Sequence, residues 1–210
     1  NISLHNLSNC DDTLALSRGI ETKNGIVDVH HAGTAMRFLT GFFASKKDIE
    51  LTLTGSKRMQ ERPIKILVDT LRLIGADISY VRNNGYPPLK INGKELVLDS
   101  LSIDANISSQ YISALMLIAP SLPRGLTITL KNKITSVPYI KMTLELLCRI
   151  GICCTLNNNI IKITSTKTIK DVTIKYFNKK LFKNKLNKFN WVDLRINFTK
   201  NDLWKYVTIK

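Results

Sequence analysis

The feature that most restricts how this chain can fold is an internal repeat: a shift of about 75 residues lays one part of the sequence on another. Leu51-Thr52-Leu53-Thr54 falls on Leu126-Thr127-Ile128-Thr129, and Arg62-Pro63-Ile64 falls on Val137-Pro138-Tyr139. A helix expected to end at Gly75 matches one ending at Gly151, and a helix opened by Gly33-Thr34 has its counterpart in one opened by Ser108-Ser109-Gln110. Two copies of one unit follow, about residues 26–92 and 95–164, each supplying a strand, a helix, a second strand, a second helix and a closing hairpin. That order of elements makes the class α/β (α+β), with helices packed on mixed four-stranded sheets.

Local signals fill in the unit. Short polar side chains between Ser8 and Asp12 suit the start of a first helix. A strand is expected from Ile26 to Val29 and another from Ile49 to Thr54, where apolar and polar residues alternate. Gly55 to Ile64 reads as a polar loop whose Pro63 suits a first helical turn. Ile64, Leu67, Val68, Leu71 and Ile74 form the apolar face of the next helix, before a hairpin of Ala76 to Val81 with Pro88 to Ile91. In the second copy Ile112, Leu115 and Ala119 are expected to face inward, and Lys141, Glu145 and Arg149 to form a solvated ion-pair row.

With 210 residues and 44% hydrophobic content the chain can bury one or two cores, which makes residues 1–165 one domain of two repeats. The longest apolar run, Ile112 to Pro120, is too short to cross a bilayer, and the first residues lack the basic start of a signal peptide. A cytoplasmic protein without a membrane partner is expected. Cys10, Cys148, Cys153 and Cys154 lack metal-site spacing and are expected to be reduced, buried thiols. The formal net charge of +15 would suggest a nucleic-acid partner, but nine of those charges lie between Lys167 and Lys210, where twelve Lys or Arg face three Asp. The basic character therefore belongs to the tail, residues 166–210, which offers no aromatic platform for bases. Val172 to Tyr176 suits the start of a third copy. The remainder reads either as a basic solvated extension anchored by Phe182, Trp191 and Trp204, or as a foreign or frame-shifted ending.

The chemistry-bearing stretch is His31 to Leu39, a tight loop feeding a helix. A glycine at a helix opening lets an anion approach amides that lack intrahelical partners, and Arg37, a turn further on, can add a guanidinium. Gly33-Thr34, Arg62-Pro63, Ser108-Ser109 and Ser136 to Pro138 occupy equivalent helix starts in the two copies. If they converge, they make an anion site. Ser108, Ser109 and Ser136 then suit a phosphate ester or polyol, and Arg62 can fork onto a carboxylate or phosphate. Taken singly, each serine is equally an ordinary helix cap and Arg37 an ordinary surface arginine. Gln110, a polar amide at the start of an apolar helix, needs a partner if buried, and Tyr139 fits a core position with its hydroxyl at the rim. His5, His30 and His31 lack ligand spacing, so no metal is expected.

Several motifs stand together in one order: Ala32-Gly33-Thr34-Ala35-Met36-Arg37, Leu53-Thr54-Gly55, Arg58-Met59, Glu61-Arg62-Pro63-Ile64, Tyr86-Pro87-Pro88-Leu89, Ser108-Ser109-Gln110-Tyr111 and Pro138-Tyr139-Ile140 after Ser136. In these, from about Asp11 to Thr164, the chain resembles the amino-terminal half of the EPSP synthase family. The resemblance implies a fold of two domains, each of three repeats, closing over substrate. It implies transfer of the enolpyruvyl group of phosphoenolpyruvate to the 5-hydroxyl of 3-phosphoshikimate in the shikimate pathway, with release of phosphate, by a monomer without metal or organic cofactor. Gly33, Arg62 and Gln110 resemble residues on phosphoenolpyruvate; Ser108, Ser109, Gln110 and Ser136 resemble residues on 3-phosphoshikimate; Arg37, Thr34 and Tyr139 resemble supporting positions.

Departures accompany the likeness. His31 stands where an asparagine often precedes Ala-Gly, and Val137 replaces a basic residue. The family's lysine-serine pair precedes Asn1, and nothing from Lys167 to Lys210 matches the acidic base and cationic clamps of its second domain. Catalytic residues are thus expected on a separate second domain, and this half alone is expected to turn over little or not at all. Two other readings are a non-catalytic fragment binding phosphorylated metabolites and a related enolpyruvyl transferase acting on a UDP-sugar.

Overall fold

The computed structural model describes residues 3–5, 8–134, 136–169 and 195–197. Two four-stranded mixed sheets carry the architecture, and each has the same order. In the first, β2 (Asn24–Asp28) runs parallel to β3 (Glu50–Thr54), and β5 (Leu89–Asn92) pairs antiparallel with β3 and with β4 (Asp77–Tyr80). In the second, β6 (Ser100–Asp104) runs parallel to β7 (Leu126–Lys131), and β9 (Ile160–Ile163) pairs antiparallel with β7 and with β8 (Cys154–Asn157). A short strand β1 (Ser3–His5) pairs with β10 (Arg195–Asn197), a pairing that no periodic pattern in the sequence announces.

Each sheet buries one face, because side chains alternate across a strand. Leu51 opposite Ile91 and Leu53 opposite Leu89 fill the first sheet's inner face; Leu126 opposite Ile163 and Ile128 opposite Ile161 fill the second's. Helices cover these faces: α1 (Asp11–Glu21), α2 (Gly33–Ala44), α3 (Lys57–Gln60), α4 (Lys65–Leu73), α5 (Ser109–Ile118) and α6 (Val137–Arg149). Ten of the twelve residues of α2 and seven of the ten of α5 are buried, so both helices are apolar nearly all round and must be covered on every side. α2 packs on α1, α4, α5, β3 and β5, and α5 packs also on α6. The α2–α5 approach is set by small residues: a Cβ at Gly41 would lie 3.5 Å from Ile118 Cγ2 and 3.7 Å from Ala114 Cβ. The buried hydroxyls are paired locally; Thr40 donates to the Met36 carbonyl at 2.7 Å, and Ser113 and Thr143 link α5 to α6 at 2.9 Å.

Several expectations need correction. The Gly55 to Ile64 loop contains the turn α3, whose N-cap Ser56 accepts from the Met59 N–H at 3.3 Å. Pro63 consequently lies before the next helix rather than in its first turn: α4 begins at Lys65, because the Ile64 N–H donates to the Gly85 carbonyl at 2.9 Å and Ile64 is a non-helical cap with φ −132° and ψ 4°. Gly75 does end α4, at φ +108°. The thiols are free but not buried, since Cys148 and Cys153 are exposed and Cys10 and Cys154 half-buried. Three of them sit where α6 ends and β8 runs along the edge of its sheet, so neighbours cover them incompletely. Of the expected ion-pair row, Arg149 and Glu145 pair. Val172 to Tyr176, Phe182, Trp191 and Trp204 lie outside the described residues. Among the described residues no helix is long and apolar enough to cross a membrane.

The small-residue contact has a measurable consequence. Gly41→Ala should be neutral or stabilising by up to about 1 kcal/mol, from helix propensity. Gly41→Leu should cost about 1–3 kcal/mol by forcing α2 and α5 apart. Urea denaturation of the two variants checks this, and equal stabilities would contradict the packing described.

Candidate functional site

The openings of α2 and α5 lie side by side, and this follows from the burial of the two helices against each other. Gln110 Nε2 donates to Thr34 Oγ1 at 3.2 Å across 76 residues of sequence, which supplies the partner its half-buried amide requires. Tyr111, next along α5, donates its hydroxyl to the Pro63 carbonyl at 2.9 Å and so ties the Arg62-Pro63 segment of the first repeat to the second. The Arg37 guanidinium stands 5.6 Å from the Tyr111 ring centroid and donates to the Gly33 carbonyl at 2.8 Å. On the α6 side, Thr143 donates to the Tyr139 carbonyl at 3.0 Å and is hydrogen-bonded by Ser113, which fixes the first turn of α6 against α5.

These contacts frame a cavity of about 560 Å³. Gly33, Thr34, Arg37, Arg62, Ser108, Ser109, Gln110 and Tyr139 all line it, as do Asp12, His31, Phe38 and Ser113. Ser136 does not: it is the N-cap of α6, with φ −127° and no side-chain cap, and the wall from that helix is supplied by Tyr139. A second cavity of about 420 Å³ is lined by His31, Arg58, Met59 and Arg62, so His31 and Arg62 stand between the two spaces. His31 is positioned by a turn in which the carbonyl of His30, a residue at φ +50°, accepts from the Ser56 N–H at 3.0 Å, and its Nδ1 lies 2.8 Å from Ser56 Oγ.

Fewer bare amides stand at these helix openings than a glycine-led start suggests. Two of the first amides of α2 are occupied, Thr34 N–H and Ala35 N–H donating to Asp12 Oδ1 at 3.0 and 3.3 Å. At the opening of α5 the Ser108 hydroxyl accepts from the Gln110 N–H at 3.4 Å, the ordinary capping role. Side-chain charge faces the cavity as well. Arg62 is exposed and makes no salt bridge among the described residues, and Arg37 Nε is buried without a hydrogen-bond partner among them. Two guanidinium groups, the hydroxyls of Ser108 and Ser109 and one amide are donors of the kind that a carboxylate or phosphate accepts from, guanidinium in a forked geometry. Asp12 escapes sequence reasoning as a cavity residue because its local signal is that of its own helix's first turn, whereas it caps a helix 22 residues away.

Gly33 is set by close approach: a Cβ there would fall 2.5 Å from Arg62 Nη1 and 3.0 Å from Arg37 Nη1. Those atoms end flexible side chains, so Gly33→Ala should leave stability within about 1 kcal/mol while displacing the Arg62 guanidinium. Denaturation together with a crystal structure of the variant checks both parts. Asp12→Ala should instead lower stability by about 1 kcal/mol through the lost cap, seen as a reduced urea midpoint.

Comparison with known proteins identifies the family. The family model for EPSP synthase (3-phosphoshikimate 1-carboxyvinyltransferase) matches residues 5–175. A 3-phosphoshikimate 1-carboxyvinyltransferase of Bacteroides fragilis is 50% identical over 148 residues, 70% of this chain and 36% of the relative. One from Shewanella amazonensis is 46% identical over 122 residues, 58% of this chain and 28% of the relative. The chain thus spans about a third of the length of the curated relatives it matches. Among solved structures, an EPSP synthase from Acinetobacter baumannii superposes with a TM-score of 0.58 at 23% identity, covering 69% of this chain and 32% of that one, a likeness of fold. On the extent of the family match and the identity to these relatives, the chain belongs to the EPSP synthase family.

Proposed function

We propose that residues 1–165 form a substrate-holding domain of an EPSP synthase, which transfers the enolpyruvyl group of phosphoenolpyruvate to the 5-hydroxyl of 3-phosphoshikimate and releases phosphate. The observation that carries this reading is the cavity in which Gly33 and Arg62 of the first repeat meet Ser108, Ser109 and Gln110 of the second. In it, Arg62 and the backbone at Gly33 hold phosphoenolpyruvate, Ser108 and Ser109 hold 3-phosphoshikimate, and Gln110 reaches both. Arg37, Thr34 and Tyr139 support them, and Ser136 joins the shikimate side from the edge of α6. The domain works in the cytoplasm on small molecules, as a monomer, without metal, organic cofactor, nucleic acid or membrane.

Holding the two anions side by side is the domain's contribution to catalysis. Both substrates carry a phosphate and a carboxylate, whose repulsion must be offset before the hydroxyl reaches the enol carbon. Addition followed by elimination then builds charge at that carbon, which fixed cations stabilise. The acid and base that move the protons come from a second domain. Alone, this domain binds weakly: three charge-assisted hydrogen bonds of about 1.5–3 kcal/mol each stand against an association cost of about 4 kcal/mol or more, a dissociation constant of about a millimolar or weaker.

Calorimetric titration of each substrate into the chain tests the reading. Arg62→Ala should weaken phosphoenolpyruvate binding about tenfold or more, and 3-phosphoshikimate binding less. A coupled phosphate-release assay should show no turnover without an added second domain. Ordinary synthase rates from the chain alone, abolished by Arg62→Ala, would overturn the division of labour. Tighter binding of a UDP-sugar than of 3-phosphoshikimate would overturn the substrate.

A further inference from the structure

The three cysteines at the end of α6 and the start of β8 take no part in the cavity. Cys148 lies in the last turn of α6 and Cys154 opens β8, with five residues between them. Gly151, at φ +88°, reverses the chain: its N–H donates to the Cys148 carbonyl at 3.0 Å, and the Ile152 N–H to the Leu147 carbonyl at 3.0 Å. This paired bonding is the usual glycine ending of a helix. The reversal brings Cys148 Sγ to 2.9 Å from Cys154 Sγ, while Cys154 Sγ also donates to the Leu144 carbonyl at 3.3 Å. Cys148 is exposed, Cys154 is half-buried, and Cys153, the other exposed thiol, precedes the strand.

We propose that Cys148 and Cys154 are a dithiol site that a small disulfide such as oxidised glutathione converts to an intrachain disulfide. The sequence of steps follows from exposure. Cys148 gives up its proton and, as thiolate, attacks one sulfur of the incoming disulfide, forming a mixed disulfide and releasing a thiolate that takes up that proton. Cys154 then attacks Cys148 Sγ, loses its proton to the second leaving thiolate, and closes the bond. Two protein thiols lose two electrons and two protons, and one small disulfide becomes two thiols. Cys154 does not take the first step: burial, and then its contact with Cys148, push its thiol up to about 12, so it stays protonated and shielded; its place in the second step rests on its sulfur lying 2.9 Å from Cys148 Sγ. The bond would fasten the end of α6 to the edge strand, while the first turn of the same helix carries Tyr139 into the cavity wall.

The test uses the full chain incubated with oxidised glutathione, alkylated, unfolded and digested with trypsin, which cuts between the two sulfurs at Arg149. Free thiols should fall from four to two, and the two peptides should be recovered joined and lighter by two hydrogens. Cys153→Ser should leave the yield of the joined peptides unchanged, and Cys148→Ser should abolish it. A crosslink lost in Cys153→Ser, a reaction that halts at glutathione on Cys148, or four thiols remaining would each overturn the proposal.

Discussion

The contact between α2 and α5 at Gly41 and Ala114 is what the rest of the structure depends on. Both helices are apolar nearly all round, so neither can be a surface element, and each is stable only when covered by its own sheet and by the other helix. Small residues where they meet let the backbones approach closely. The approach then leaves their amino-terminal ends side by side, and the polar residues that open them, Thr34 and Gln110, have no neighbours better suited than each other. The cavity is thus a by-product of core packing: the groups that line it also fasten the two repeats together. Tyr111 shows the same double service, with its ring under the Arg37 guanidinium and its hydroxyl on the Pro63 carbonyl.

That arrangement changes the electrostatic account of the site. Helix dipoles contribute less than a motif of glycine before a helix suggests, because Asp12 occupies two of the first amides of α2 and Ser108 caps α5. Positive charge is delivered by Arg62 and by Arg37, the latter held at the cavity by the Gly33 carbonyl and the Tyr111 ring. Guanidinium groups suit such a wall, since they stay charged at every physiological pH and bind carboxylate or phosphate in a fixed fork. Gly33 is small so that two of them can share one wall. The sharing of Arg62 with the second cavity, which Arg58 also lines, extends cationic character along a surface rather than confining it to one hollow.

In the second repeat α6 leads into the edge strand β8, and the thiols there are less covered than an apolar core position would make them. The glycine that ends α6 does there what Gly75 does for α4, reversing the chain in the left-handed region. In the second repeat the reversal also brings two sulfurs together.

Periodicity and turn chemistry made much of the architecture legible. The alternation Leu51 to Thr54 and its echo at Leu126 to Thr129, the apolar face of α4, and the glycines at its end and that of α6 each report which side of an element faces the core. That information is local, and the repeat doubled it. The motif residues Gly33, Arg62, Ser108, Ser109 and Gln110 were legible through their likeness to a family, and the cavity gathers them. The turn α3 was not legible, since its four residues are too few for a period to register. Nor was Asp12 at the opening of α2, Gln110 on Thr34, or Cys148 against Cys154, because a side chain's partner in another element leaves no trace in its own neighbourhood. The sequence by itself determined the longer elements of the two repeats, their buried faces and the doubling of the unit. Only the tertiary structure decided which ends meet and which donors are already taken, because hydrogen bonds join whatever groups the packing of apolar surfaces brings within about 3 Å of each other, at any separation along the chain.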